Sequence, residues 1–193
     1  MRDSVIKATN SQTDIKPEEF ESLKTFHKNL ESFFSTYKEE SKRLYYERRS
    51  RQYNDSSIRR LVIVDIKTLI RSFASMFLDE PHTAGRYPGT LLKESGQRMF
   101  VDIHKYEPYY TSAFTYYRIE QCFRKQQIDK KYKKFKHYLL MIIRYQICGN
   151  APMPDFSSNK IPEYCARILT VLWDDTKVIK ALKIPKSNVL FID

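Results

Sequence analysis

Glycine is scarce in this chain of 193 residues, which holds 4 of them against 14 tyrosines and 12 phenylalanines. Sheet proteins rich in tight turns lean on glycine at their corners, so the shortage favours packed helices. Cysteine is also rare. Cys122, Cys148 and Cys165 are odd in number and show no CxxC spacing, which speaks against a disulfide framework or a zinc site and for thiols buried in helices. His27, His82, His104 and His137 are scattered without metal-ligand spacing, so neither a metal nor another cofactor is expected. The longest apolar run, Tyr138–Ile143, is far too short to cross a bilayer, and the first residues, MRDSVIKATNSQ, lack the apolar core of a signal peptide. The expectation is a soluble, cytoplasmic protein with no membrane partner.

What is present points to one domain over residues 1–193. Hydrophobic residues make up 41% and charged residues 30%, the balance of a globular chain with a core of its own. Lysine and arginine number 34 against 23 acids, a formal charge of +11 that favours phosphate-rich or acidic partners and says nothing about fold.

The fold class expected is mainly α: a multi-helix, bundle-like domain with at most one or two short strands. Val5-Ile6 is a short apolar run that suits a strand. A helix opening at Pro17 carries Phe20, Leu23, Phe26 or His27, Leu30, Phe33 or Phe34, and Tyr37 at helical spacing. The segment from Lys38 through LYYERRSRQY at Leu44–Tyr53 fits an exposed helix through its i,i+4 pairs Glu39/Arg43 and Glu47/Arg51. From Ile58 to Leu78, one apolar stripe (Ile58, Val62, Ile66, Leu69, Ile70, Phe73, Phe77) and one polar stripe (Asp65, Thr68, Ser72, Ser75, Asp79) predict a single helix. Residues 79–107 contain three of the four glycines and two prolines and read as a long loop, with room for a short helix near Leu91-Leu92. Further helices are expected from Pro108, over about Asp129–Cys148 with Gly149 as its cap, and over about Ile161–Leu182. Val189–Ile192 suits an extended tail.

Few side chains suggest catalysis. Leu61–Lys67, LVIVDIK, ends in Asp65-x-Lys67, the close of a PD-(D/E)xK nuclease motif, in which acids bind a divalent metal and the lysine helps position water. That chemistry needs a strand and a second carboxylate near Asp65, whereas the stripes place Asp65 on a helix. No Ser-His-Asp or Cys-His set can be assembled. The basic segments are better candidates, for DNA or RNA: Arg48, Arg49 and Arg51 in the first, Arg124 and Lys125 in the second, and Lys130, Lys131, Lys133, Lys134 and Lys136 in a third, interleaved with Tyr132 and Phe135. A solvated helix face explains the same lysines without any ligand. For Leu44–Tyr53 a structural joint is preferred, with Tyr46 and Arg49 buried against neighbouring helices.

Two stretches carry a family resemblance. Thr9-Asn10-Ser11-Gln12 is followed, after a helix, by Tyr46-Glu47-Arg48-Arg49 and Tyr53, and this ordered pair resembles the AIPR family of bacterial abortive-infection phage-resistance proteins. The resemblance covers the first half well and the rest more loosely. It implies a role in phage defence. Because members are usually longer, it also implies that the chain is the C-terminal part of such a protein, with a partner domain or subunit outside it and any nuclease-like activity of that domain missing.

Overall fold

In the computed structural model, residues 25–149 and 152–182 are described. The helical expectation holds. The elements are α1 (Thr25–Phe34), β1 (Tyr45–Glu47), β2 (Ile63–Asp65), α2 (Ile66–Phe77), α3 (Pro81–Arg86), α4 (Pro88–Ser95), α5 (Glu107–Arg124), α6 (Lys136–Cys148), α7 (Ile161–Leu172) and α8 (Asp175–Leu182), with short 3-10 turns at Arg60–Val62, Gly96–Arg98 and Lys130–Phe135. The proposed strand at Val5-Ile6, the Thr9–Gln12 motif, the opening of the first helix at Pro17 and the tail Val189–Ile192 lie outside the described residues.

Helices α2 and α5 form the centre. α2 packs on α3, α5 and α6, and α5 packs on α7 as well. The predicted apolar stripe of α2 is indeed buried, but the polar stripe does not face water: Ser72 and Ser75 are both fully buried. Their hydroxyls satisfy themselves on α2 carbonyls, Ser72 on Leu69 (3.0 Å) and Ser75 on Arg71 (2.6 Å). Such small side chains let neighbouring helices approach closely, and Ser72 Oγ meets Ser112 Oγ of α5 at 3.4 Å. Beside this crossing the Phe73 ring stacks on Tyr109 with centroids 4.4 Å apart. Large aromatic areas buried in this way are the main source of core stabilisation.

The single helix expected from Ile58 to Leu78 begins only at Ile66. Its β-branched start, Ile63-Val64, forms β2 instead, paired in parallel with β1 in the register Tyr45↔Ile63, Tyr46↔Val64 and Glu47↔Asp65. Asp65 switches the chain from strand to helix: its Oδ1 accepts the Thr68 N–H at 2.8 Å as an N-cap. Leu44–Tyr53 is likewise not helical. Glu47 pairs with Arg60 rather than Arg51, and Lys42 rather than Arg43 reaches Glu39.

The segment expected to be loop, residues 79–107, carries α3, α4 and a 3-10 turn. Pro81 and Pro88 each open a helix there, where a missing N–H costs nothing. Asp79, with φ 57°, turns the chain out of α2 in the left-handed region. Glu80 then ties the segment to itself through Ser95 Oγ (2.6 Å) and Arg98 (2.8 Å). The helix expected over Asp129–Cys148 opens as a 3-10 turn before α6, and the one over Ile161–Leu182 breaks at Trp173-Asp174, where Asp174 Oδ1 accepts the Thr176 N–H at 2.9 Å and restarts the chain as α8.

Candidate nucleic-acid interface

The three basic segments have different fates. In the first, the end of β1 and the turn after it, rather than helical spacing, decide which side chains are buried. Tyr46, Glu47 and Arg48, at and just past the end of β1, are 1%, 9% and 8% exposed, while Arg49 and Arg51 are exposed. Arg49 was expected inside and is not, because the expectation assumed a helix. Tyr46 places its hydroxyl 2.6 Å from His27 Nδ1, and Arg48 Nε reaches Glu31 at 3.1 Å. Gln52 closes the turn by accepting the backbone N–H groups of Arg48 and Arg49 at 3.1 Å each and by donating to Glu31. Tyr53 packs edge-on against Tyr45, centroids 5.7 Å apart. The segment is a joint between α1 and the strand pair.

Glu47 and Asp65 end the two paired strands side by side, and Arg60 binds both, at 3.2 Å each. Strand, second carboxylate and Asp65 are therefore brought together, as a nuclease of the PD-(D/E)xK type would require. Three of their four carboxylate oxygens are already engaged: Oδ1 of Asp65 caps α2, and Oδ2 of Asp65 and Oε2 of Glu47 hold the guanidinium. Lys67 is exposed in the first turn of α2. Among the described residues no three His, Cys, Asp or Glu side chains are grouped to hold a metal ion.

In the second segment Arg124 is exposed and Lys125 lies 3.3 Å from Asp175, which also pairs with Arg118. The third segment is the most open. Lys130, Lys131, Lys133 and Lys134 project into solvent from the 3-10 turn, which Asp129 caps by accepting the Lys131 N–H at 2.9 Å. Lys131 also pairs with Asp129 at 3.6 Å, whereas Lys130, Lys133 and Lys134 have no acidic partner among the described residues. Lys136 differs. It is held by Glu120 (3.0 Å) and Tyr116 (2.5 Å); burial pulls its ammonium down, but the hydrogen bonds and charges of these two partners together outweigh burial and leave it raised. It anchors α6 to α5.

Beside the lysine turn runs a cleft of about 250 Å³ between α3 and the start of α6. Its walls include His82 and Arg86 from α3 and Lys134, Phe135, His137 and Tyr138 from the other side. His82 Nδ1 and the Tyr138 hydroxyl approach to 3.3 Å across it. The α3 wall is fixed from below: Arg71 of α2 donates to the carbonyls of Ala84 (2.6 Å) and Gly85 (3.3 Å). His137 is 3% exposed. Burial, followed by the nearby charges of Arg71 and Lys136, pulls its imidazole down to about 3.

Sequence patterns did not single out this cleft. Its α3 half lies in the stretch read as loop, and its two histidines are 55 positions apart.

A family model described as AIPR protein matches residues 1–184. No curated protein and no solved structure matches the chain. No helix among the described residues is long and apolar enough to cross a membrane.

Proposed function

This chain belongs to the AIPR family, and from that premise we propose that it is a non-catalytic helical module of a phage-resistance protein that binds nucleic acid through the lysine turn and the adjoining rim of α3. The observation that carries the reading is the turn itself. Four lysines within Lys130–Lys134 stand in solvent with one weak acidic contact, and Arg86 stands exposed across the cleft from Lys134. Cations held this close together without counter-charges repel one another, and phosphate groups relieve that repulsion while releasing counterions.

Arg48 and Lys136 take no part, since each is committed to an acid inside the fold. A nuclease centred on Asp65 is disfavoured because its carboxylate oxygens serve as helix cap and arginine brace.

The test is binding of DNA and RNA by the whole chain, followed by fluorescence anisotropy as salt is raised. Affinity should fall with a log–log slope of about −0.9 per duplex phosphate neutralised. Charge-removing substitutions at Lys130 and Lys133 should flatten it. Absence of binding at low salt, or binding indifferent to salt, removes the proposal. Metal-dependent cleavage abolished by Asp65→Asn would replace it with the nuclease.

A further inference from the structure

The cleft beside the lysine turn has features that a purely electrostatic surface does not need. It is concave, its walls are aromatic, and beneath it lies a buried histidine nitrogen without a partner. We propose that it receives one base of a single-stranded nucleic acid, with the adjoining phosphate held at the rim by Arg86 and Lys134. This rests on the nucleic-acid reading above and gives it a strand type and an orientation.

Size comes first. At about 250 Å³ the cleft falls below the ~300–1,000 Å³ of pockets that enclose drug-sized ligands, so it suits one flat ring system. A duplex keeps its bases stacked inside and meets a protein with its backbone and groove edges, so it has nothing to place in such a cleft. An unpaired base does.

The walls agree. Phe135 and Tyr138 are partly exposed on one side and His82 is exposed on the other. Next to them Tyr87 is 54% exposed, its ring centroid 5.9 Å from that of His82. An exposed tyrosine beside a basic cleft offers a stacking face whatever the base. No acid lines the cleft, and neither Arg86 nor Lys134 has an ion-pair partner among the described residues.

The floor supplies the orientation. Ser75 gives its hydroxyl proton to the Arg71 carbonyl at 2.6 Å, so in the 3.1 Å contact between Ser75 Oγ and His137 Nδ1 the imidazole is the donor. This assigns the proton to Nδ1 and leaves Nε2 as an acceptor, buried and without a protein partner. Burial and the neighbouring Arg71 and Lys136 keep the ring neutral at physiological pH, so Nε2 remains an acceptor. Nε2 has no exposed surface while His82 and Tyr138 meet across the cleft, so an entering base parts that contact before its N–H groups reach the acceptor, which a phosphate oxygen cannot satisfy. The base therefore points inward and the phosphate outward, where the two cations are.

The experiment compares a labelled single strand with a duplex of the same length, using the whole chain and the variants Tyr87→Leu, Arg86→Gln and Lys134→Gln. All three substitutions are at exposed positions. The single strand should bind more tightly than the duplex. Tyr87→Leu should weaken the single strand about ten-fold, and by a clearly larger factor than the duplex. Arg86→Gln and Lys134→Gln should each reduce the single-strand salt slope by about 0.7. Photo-crosslinks from the single strand should map to Tyr87, Phe135 or Tyr138. Equal binding of both forms, with crosslinks confined to Lys130–Lys133, overturns the base site while leaving the basic surface intact. A mononucleotide that binds as tightly as the strand also overturns it, in favour of a free-nucleotide site. If neither form binds at low salt, the broader nucleic-acid reading falls too.

Discussion

The hydroxyl of Tyr46 and Nδ1 of His27 lie 2.6 Å apart in the core, on residues that are 1% and 0% exposed. This hydrogen bond ties the strand pair to α1, and the Phe34 ring packs beside it, 5.5 Å from that of Tyr46. Burial raises the Tyr46 hydroxyl well above the usual phenol range, so it stays protonated. Tyr46→Phe keeps the ring and removes only the hydroxyl. The expected loss is about 1–3 kcal/mol, the cost of stranding a buried polar partner, read as a lower urea midpoint at an unchanged denaturant slope. A loss no larger than that of an exposed tyrosine substitution would remove the joint from the account of this segment.

Asp65 does two things that substitution can separate. Asp65→Ala removes the α2 cap and should cost about 1 kcal/mol. Asp65→Asn retains a capping oxygen and gives up only the contact with Arg60, which is 66% exposed and therefore contributes little. Thermal unfolding should rank wild type and Asn close together and Ala below both. If Asn and Ala fall equally, the carboxylate charge rather than the cap is what matters.

Asp79 is placed under two demands at once. Its backbone sits at φ 57°, and its carboxylate pairs with Arg144, whose side chain is only 7% exposed. Asp79→Ala should be the worst replacement, straining the left-handed turn and leaving a largely buried guanidinium unpaired, at about 2–4 kcal/mol. Asn tolerates this φ and keeps an acceptor, and Gly relieves the backbone alone, so the expected order of stability is Asp, Asn, Gly, Ala. An order in which Gly equals Asp would show that the ion pair contributes nothing.

Acid should destabilise the fold before most carboxylates titrate. The His137 imidazole takes a proton near 6.5 when unfolded but only near about 3 when folded, and His104 is also lowered by burial. Stability from this source is complete above the unfolded pKa and is lost as pH falls between those two values, at up to about 1.4 kcal/mol per pH unit for one such histidine. Urea midpoints should drop between about pH 7 and pH 5, and His137→Gln should flatten that drop whatever it does to absolute stability. A parallel drop in the variant would assign the acid sensitivity elsewhere.

Helix content was legible in the sequence because long amphipathic periods survive translation into structure, as with Phe26, Leu30 and Phe34 in α1 or Ile168, Leu169 and Leu172 in α7. The strand pair was not. Three residues of β1 span too little sequence to show alternation, and Val62–Val64 extends the same apolar stripe that α2 carries further on. Ser72 and Ser75 misled for another reason: polarity marks an exposed face only when no neighbouring helix comes close enough to bury a small hydroxyl. The cleft was illegible because its walls belong to separate elements, one of them hidden among the prolines and glycines of residues 79–107. Of the basic residues, sequence could count charges but could not tell Arg48, spent on Glu31, from Lys134, which has no acid to meet.

Arg71 gives the site a dependence that its surface does not show. α3 is six residues long, too short for its own hydrogen bonds to hold a helix in water, and its last carbonyls are secured by a guanidinium rooted in α2. The wall that carries His82 and Arg86 is therefore an extension of the central helix. A substitution at Arg71 would loosen that wall without altering any side chain that lines the cleft. Hydrogen exchange in α3 is therefore expected to speed up in an Arg71 variant while exchange in α2 and α5 stays slow.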